Sequence, residues 1–250
     1  IPKLLDVESM ISLIGSLGSK VKNKHNTYLL ETKKISSCKA DYDLVRKMRA
    51  SFLVLGPLLA REGYAEVSLP GGCAIGTRPV DMHLYAMKKL GANISISDGY
   101  VRAKRKIKGL VGEKIAFSKI SVGATENAIM AAVLAKGETL IENAAKEPEV
   151  IDLCNCLNAM GANIEGMGSN KIHIQGVTNL LSASHEVISD RIEACTYIIA
   201  AAITNSKLTI KKINFNYINS FMRVMDKMGL NYSINKEEIF IENNVKLDPI

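Results

Sequence analysis

The sequence contains no tryptophan, and its aromatic residues make up only 5% of the chain. Its core must therefore be built from Ile, Leu, Val, Ala and Met. Long hydrophobic runs are also missing. The stretches SFLVLGPLLA and TYIIAAAI fall well short of the roughly 18 apolar residues that a membrane-spanning helix needs. No basic leader followed by an apolar stretch opens the chain, and the first residue is Ile1 rather than Met. Like charges do not gather in blocks of five or six. The densest cluster is KRKIKG, beginning at Lys104, within a net charge of +7. These absences argue against a membrane protein and, without a basic helix or an aromatic-basic platform, against a nucleic-acid binder. They leave a soluble cytoplasmic chain as the expectation. The positive balance then reads either as an anionic small-molecule partner or as lysines spread over solvated faces.

Paired cysteines are lacking too. Cys38, Cys73, Cys154, Cys156 and Cys195 are odd in number and irregularly spaced, which predicts reduced thiols rather than a disulfide framework. Cys154 and Cys156 lie two apart in a stretch that reads as helix. Positions i and i+2 point about 200° apart, a poor chelate, so burial in a helix suits them better than metal binding. The histidines, His25, His83, His173 and His185, show neither a metal spacing nor a triad-type motif with serine or cysteine.

What the chain does have is a repeat. MISLIGSLGSKV, HLYAMKKLGANISI, DLCNCLNAMGANIEG and SFMRVMDKMGLNYSI each read as an amphipathic helix, a glycine and a strand. The glycines, Gly18, Gly91, Gly161 and Gly229, sit where a helix C-cap calls for a left-handed residue. A second pattern alternates with the first, in RASFLVLGPLLAREGYAEVSL, SVGATENAIMAAVLAKGETLIEN and DRIEACTYIIAAAITNSKLTIKKI. One full unit reads strand, helix, strand, helix, strand, strand, about seventy residues long. Such a unit cannot bury its apolar helices alone, so several must pack around shared helices. The chain opens in mid-repeat and closes without a terminating feature, so truncation at both ends is expected.

Four stretches offer chemistry. VSLPGGCAIGTRPVDMH places Cys73 after Pro70, Gly71 and Gly72, with Arg78 and Asp81 following at the start of a helix. Two adjacent glycines imply a loop. The cysteine is then either a reactive thiol beside an anion-binding arginine or a small turn filler. KISVGATENAIM carries Ser121, Gly123 and Thr125 ahead of an apolar helix, which suits either a bound phosphate or plain N-capping. YDLVRKMRASF sets Arg46, Lys47 and Arg49 at what reads as a helix start, where either a bound anion would relieve them or they are exposed solubilising charge. The carboxylates of ENAAKEPEVID and SDRIEACT, including Glu142, Glu147, Glu149, Asp190 and Glu193, are also what capping predicts.

Taken together, YDLVRKMRASFLVLGPLLAREGYAEVSLPGGCAIGTRPVDMH, SVGATENAIMAAVLAKGETLIENAAKEPEVIDLCN and SDRIEACTYIIAAAIT closely resemble the UDP-N-acetylglucosamine 1-carboxyvinyltransferases. The likeness covers essentially the whole chain and is weakest near residues 21–37 and beyond Leu208. It implies an α/β fold of repeated βαβαββ units, the inside-out barrel of the enolpyruvyl transferases, here incomplete. Residues 1–188 would form the first domain, lacking its N-terminal half-repeat, and residues 189–250 the first repeat of the second. The implied reaction moves the enolpyruvyl group of phosphoenolpyruvate to the 3-hydroxyl of UDP-N-acetylglucosamine and releases phosphate, opening peptidoglycan precursor synthesis and so serving cell-wall growth and division. No metal or organic cofactor is implied.

By motif, Cys73 would be the general acid and the thiol alkylated by fosfomycin. Arg49 and Arg78 would bind anionic groups, and Arg78 with Pro79, Val80, Asp81 and Met82 would line the uridine nucleotide. Lys119, Ile120, Ser121 and Val122 would form the other nucleotide segment, and Asp190 and Arg191 a pair with a structural role. The family's Lys-Asn motif, its proposed aspartate base and a C-terminal arginine have no counterpart in these 250 residues. The chain alone is therefore expected not to turn over, and a missing C-terminal domain would be a partner. A non-catalytic remnant that only binds nucleotide sugar, and a 3-phosphoshikimate enolpyruvyl transferase, are the competing readings. The cysteine loop speaks against the second.

Overall fold

Helix and strand alternate in the computed structural model as the repeat predicts. The structure describes residues 1–70, 79–107, 109–243 and 247–249, and these divide into two compact units, Ile1–His185 and Glu186–Ile250.

The first unit opens with α1 (Leu5–Ser16) and the hairpin β1 (Lys20–Lys24) and β2 (Thr27–Glu31). Two complete repeats follow. The first runs β3 (Lys39–Ala40), α2 (Tyr42–Val45), a 3-10 segment (Arg49–Val54), α3 (Leu55–Glu62), β4 (Tyr64–Ser68), α4 (Asp81–Lys89), β5 (Ala92–Ser97) and β6 (Tyr100–Arg105). The second runs β7 (Lys114–Ala116), α5 (Val122–Ala132), β8 (Glu138–Glu142), α6 (Pro148–Ala159), β9 (Asn163–Glu165) and β10 (Lys171–Gln175). Their sheets have the same order, β3-β4-β6-β5 and β7-β8-β10-β9, each with one parallel pair followed by two antiparallel pairs. The second unit continues the pattern with α7 (Arg191–Ile203), β11 (Leu208–Lys211), α8 (Asn219–Lys227), β12 (Tyr232–Asn235) and β13 (Glu238–Ile241). Its sheet order is β11-β13-β12.

The four repeat glycines all take a positive φ, from 80° at Gly229 to 114° at Gly18, as the helix-ending motif requires. Strand alternation puts Ile172 and Ile174 of β10 opposite Ile141 and Thr139 of β8, all buried on one face. Helix α5 is the hub of the first unit. Ala124, Thr125, Asn127, Ala128, Ile129, Ala131 and Ala132 are all buried, and α3, α4 and α6 pack against it. The abundance of alanine permits that crowding, because small side chains let helix backbones come close. In the second unit a separate core gathers Ala194, Ile198, Met222, Met225, Ile239 and Ile241, while Ile192, Ile199 and Ile203 of α7 remain exposed.

The structure corrects one expectation. Arg46, Lys47 and Arg49 do not crowd a single helix start. The backbone breaks at Met48, which is extended (φ −150°, ψ 122°). Arg46 caps the C-terminal end of α2, where a cation is favoured, and pairs with Asp43 at 3.2 Å. Arg49 alone begins the following 3-10 segment.

Candidate functional site

Three segments that the sequence singled out come together in the first unit. The first begins at Arg49, whose guanidinium donates from Nη2 to the Pro79 carbonyl at 3.4 Å. That carbonyl belongs to the second segment, Pro79 to Met82, which leads into α4. Val80 occupies the N-cap position of α4 and provides no side-chain cap, and Asp81 supplies the acidic first turn that the helix dipole favours. The third segment, Lys119 to Val122, leads into α5. There Ser121 caps the helix by accepting from the Ala124 N–H at 3.4 Å, and Ile120 is exposed. The first turns of α4 and α5 touch: a Cβ placed on Gly123 would lie 3.3 Å from Cε1 of His83. Two helix N-termini with an arginine beside one of them favour an anion, because unpaired N–H groups and the helix dipole both present positive potential.

Two buried side chains that the sequence reading passed over join these segments. Asn127 of α5 is fully buried. Its Oδ1 accepts from the Gly56 N–H at 2.7 Å, and its Nδ2 donates to the Phe52 carbonyl at 3.2 Å and lies 3.1 Å from Nδ1 of His83. Gly56 needs an acceptor and Phe52 a donor, which fixes the orientation of the amide. Nδ2 can only donate, so Nδ1 of His83 accepts and the neutral ring carries its proton on Nε2. His83 packs edge-on against Phe52, with ring centroids 5.3 Å apart. A side chain on Gly56 would run into Asn127, so only glycine allows this approach of α3 to α5. Thr125, two residues earlier, donates to the Ser121 carbonyl at 2.8 Å and accepts from the Ala145 N–H at 3.1 Å.

The electrostatics follow from burial. The pKa of His83 is pushed down to about 4, first by burial and then by the positive charge of Arg49, with Asp81 opposing weakly. The imidazole is therefore uncharged at neutral pH. Glu126, next to Asn127, is pushed up to about 7, first by burial and then by Glu149 and Glu147 at the start of α6. Burial also raises the thiols of Cys38, Cys156 and Cys195, and takes Cys154 up to about 11. A hollow of about 360 Å³, bordered by Tyr42, Ser68, Leu69, Pro70 and Tyr100, lies just past the end of β4.

Among the described residues no group of three or more His, Cys, Asp or Glu side chains is placed to hold a metal ion, and no helix is long and apolar enough to cross a membrane. The family model for EPSP synthase (3-phosphoshikimate 1-carboxyvinyltransferase) matches residues 1–250. The chain belongs to this family. Two relatives named UDP-N-acetylglucosamine 1-carboxyvinyltransferase are each 49% identical to this EPSP synthase family member. That of Campylobacter fetus matches over 252 aligned residues, all of this chain and 60% of the relative, and that of Zymomonas mobilis over 99% of this chain and 60% of the relative. The chain thus spans about 60% of the length of these relatives.

Among solved structures, the enolpyruvyl transferase NikO from Streptomyces tendae matches 99% of the chain and 60% of its own length, with a TM-score of 0.82 at 20% identity. An EPSP synthase from Acinetobacter baumannii matches all of the chain and 59% of its own, with a TM-score of 0.72 at 18% identity. These establish the enolpyruvyl transferase fold, an α/β fold of repeated units, and the two 49% identical relatives uphold the resemblance read from the sequence.

Of the residues singled out, Arg49 reaches the Pro79 carbonyl, and the helices that Pro79 to Met82 and Lys119 to Val122 lead into, α4 and α5, meet at His83 and Gly123. Cys73 and Arg78 lie outside the described residues. Asp190 caps α7, accepting from the N–H groups of Ile192 and Glu193 at 2.8 and 3.0 Å, which is a structural role. The signal that could have found Asn127 is a lone amide inside the run ATENAIMAA, where every neighbour on the buried face is small or apolar.

Proposed function

We propose that this chain serves the transfer of the enolpyruvyl group from phosphoenolpyruvate to the 3-hydroxyl of UDP-N-acetylglucosamine. The observation that carries this reading is the 49% identity, along essentially the full chain, with relatives named for that reaction in Campylobacter fetus and Zymomonas mobilis. The reaction forms a bond from the sugar oxygen to C2 of the enolpyruvyl group and breaks the bond from C2 to the phosphate oxygen. The sugar hydroxyl gives up its proton as its oxygen bonds to C2 and Cys73 delivers a proton to the methylene carbon; the methyl group so formed then gives up one proton as the bond to phosphate breaks, and the released phosphate carries away the proton that the hydroxyl supplied.

The chain's own segments bind and orient. The two helix starts at Asp81 and Val122 hold the uridine nucleotide through Pro79 to Met82 and Lys119 to Val122. Arg49 and Arg78 hold the anionic groups, since a planar guanidinium matches phosphate and carboxylate in two-point fashion. We place the protein in the cytoplasm, at the entry to peptidoglycan precursor synthesis and as a target of fosfomycin. Residues 1–188 act as one domain and residues 189–250 as part of a second, with no part in membrane or nucleic-acid binding. The test is a calorimetric titration of the chain with UDP-N-acetylglucosamine and with shikimate 3-phosphate, alongside a phosphate-release assay. Binding of the nucleotide sugar without turnover is expected. Binding of shikimate 3-phosphate alone would overturn the substrate assignment, and phosphate release at the rate of a complete relative would overturn the expectation that the 250 residues cannot turn over.

A further inference from the structure

We infer that Asn127 is a positioning residue whose single amide fixes the segments carrying Arg49, Asp81 and Val122 relative to one another. This deepens the nucleotide-sugar reading and rests on it for the ligand. A fully buried amide in an alanine-rich helix is costly unless every polar atom is satisfied. An apolar side chain would fill the same space without that cost. Here both Nδ2 hydrogens and Oδ1 are used, and each bond goes to a different part of the neighbouring repeat. The Phe52 carbonyl lies in the 3-10 segment that Arg49 begins, the Gly56 N–H lies at the start of α3, and Nδ1 of His83 lies in the first turn of α4.

The amide itself sits in α5, six residues after the cap Ser121. Hydrogen bonds are directional, so the three bonds set distances and orientations that apolar packing alone would leave free to slide. Arg49 closes the loop from the other side by donating to the Pro79 carbonyl. His83 is suited to its part because it stays neutral: a protonated Nδ1 could not accept from Asn127.

The experiment compares wild type with Asn127→Ala and Asn127→Asp, using UDP-N-acetylglucosamine titration, circular dichroism and amide 1H–15N spectra. In Asn127→Ala, at a temperature where circular dichroism shows the fold intact, Kd for the nucleotide sugar is expected to rise at least tenfold. Amide signals of residues 49–56, 80–84 and 121–127 should move together. Asn127→Asp retains the acceptor for Gly56 but loses both donated bonds. It should weaken binding less than Asn127→Ala, because the neutral His83 ring can move its proton to Nδ1 and donate to the new carboxylate, a tautomer switch read in the 15N shifts of the imidazole. A purely structural role predicts no link between that switch and affinity. A folded Asn127→Ala variant that binds like wild type, or shifts confined to α5, would overturn the inference. If wild type binds no nucleotide sugar, the substrate reading fails, and the spectra alone decide whether the three segments respond as one. If both variants unfold, wild type decides: a ligand response confined to one segment, or a His83 ring that carries its proton on Nδ1, would refute the brace.

Discussion

Replacing Glu126 with glutamine should stabilise the protein above neutral pH and leave it nearly unchanged in acid. The carboxyl is largely buried and faces Glu149 and Glu147, so its folded-state pKa is raised to about 7 from 4.5. A raised pKa means that the folded state holds the proton more tightly than the unfolded chain. The associated stability is complete below about pH 4.5 and is lost as pH rises through about 7. At about 1.36 kcal/mol per unit, the upper limit of that loss is about 3 kcal/mol. The part of the side chain that still meets solvent screens the two neighbouring glutamates, which lowers the figure to about 2 kcal/mol. Glutamine keeps the shape of the neutral acid and cannot ionise. For a unit of this size the gain corresponds to about 4–8 °C in Tm. Thermal unfolding followed by circular dichroism at pH 5 and pH 8, wild type against Glu126→Gln, makes the comparison. Equal Tm differences at the two pH values, or no difference at pH 8, would refute the assignment of a buried, like-charged carboxyl.

Other changes read other parts of the structure. Gly56→Ala forces a methyl group onto the Asn127 amide and should cost about 1–3 kcal/mol, seen as a lower urea midpoint. An unchanged midpoint would mean that α3 and α5 are further apart than described. Arg49→Met removes the positive charge beside His83, so an NMR titration should show the imidazole pKa rising from about 4 while staying below 6.5, because burial is the larger cause. No change would separate Arg49 from that ring. The four described cysteines all have raised thiol pKa values and are slow nucleophiles near neutrality. If Cys73 is the reactive thiol, Cys73→Ser should abolish the fast phase of alkylation at pH 7, counted by mass spectrometry; a fast phase that survives would remove it from that role.

Much of the fold was legible because it is written locally and repeatedly. The helix-glycine-strand pattern around Gly91 and Gly161 needs only backbone preferences and amphipathic spacing, and both repeats fold with the same strand order. The grouping of Arg46 with Arg49 failed because no local signal marks the extended residue Met48 that separates a four-residue helix from a 3-10 turn. His83 and Asn127 were passed over for a different reason. Their pairing spans 44 residues of chain, and neither belongs to a motif for metal binding or nucleophilic chemistry. A buried amide declares its purpose only when its three partners are seen around it. Ser121 lies between these cases: capping and ligand binding were both open from the sequence. The structure shows the cap, and its 3.4 Å length leaves the first turn of α5 weakly satisfied.

The two helix starts that meet at His83 and Gly123 do not hold equivalent places in the repeat. Helix α4 follows the second strand of its unit, whereas α5 follows the first strand of the next. The candidate site is therefore a property of the seam. One unit folded by itself would possess both kinds of helix and still have no site, because the two face each other only when a second copy follows in tandem. In an ancestor of such a protein, tandem duplication would have brought the two helix starts together in the same event that extended the core. The joining stretch between β6 and β7 would then have become the part of the chain least free to change length.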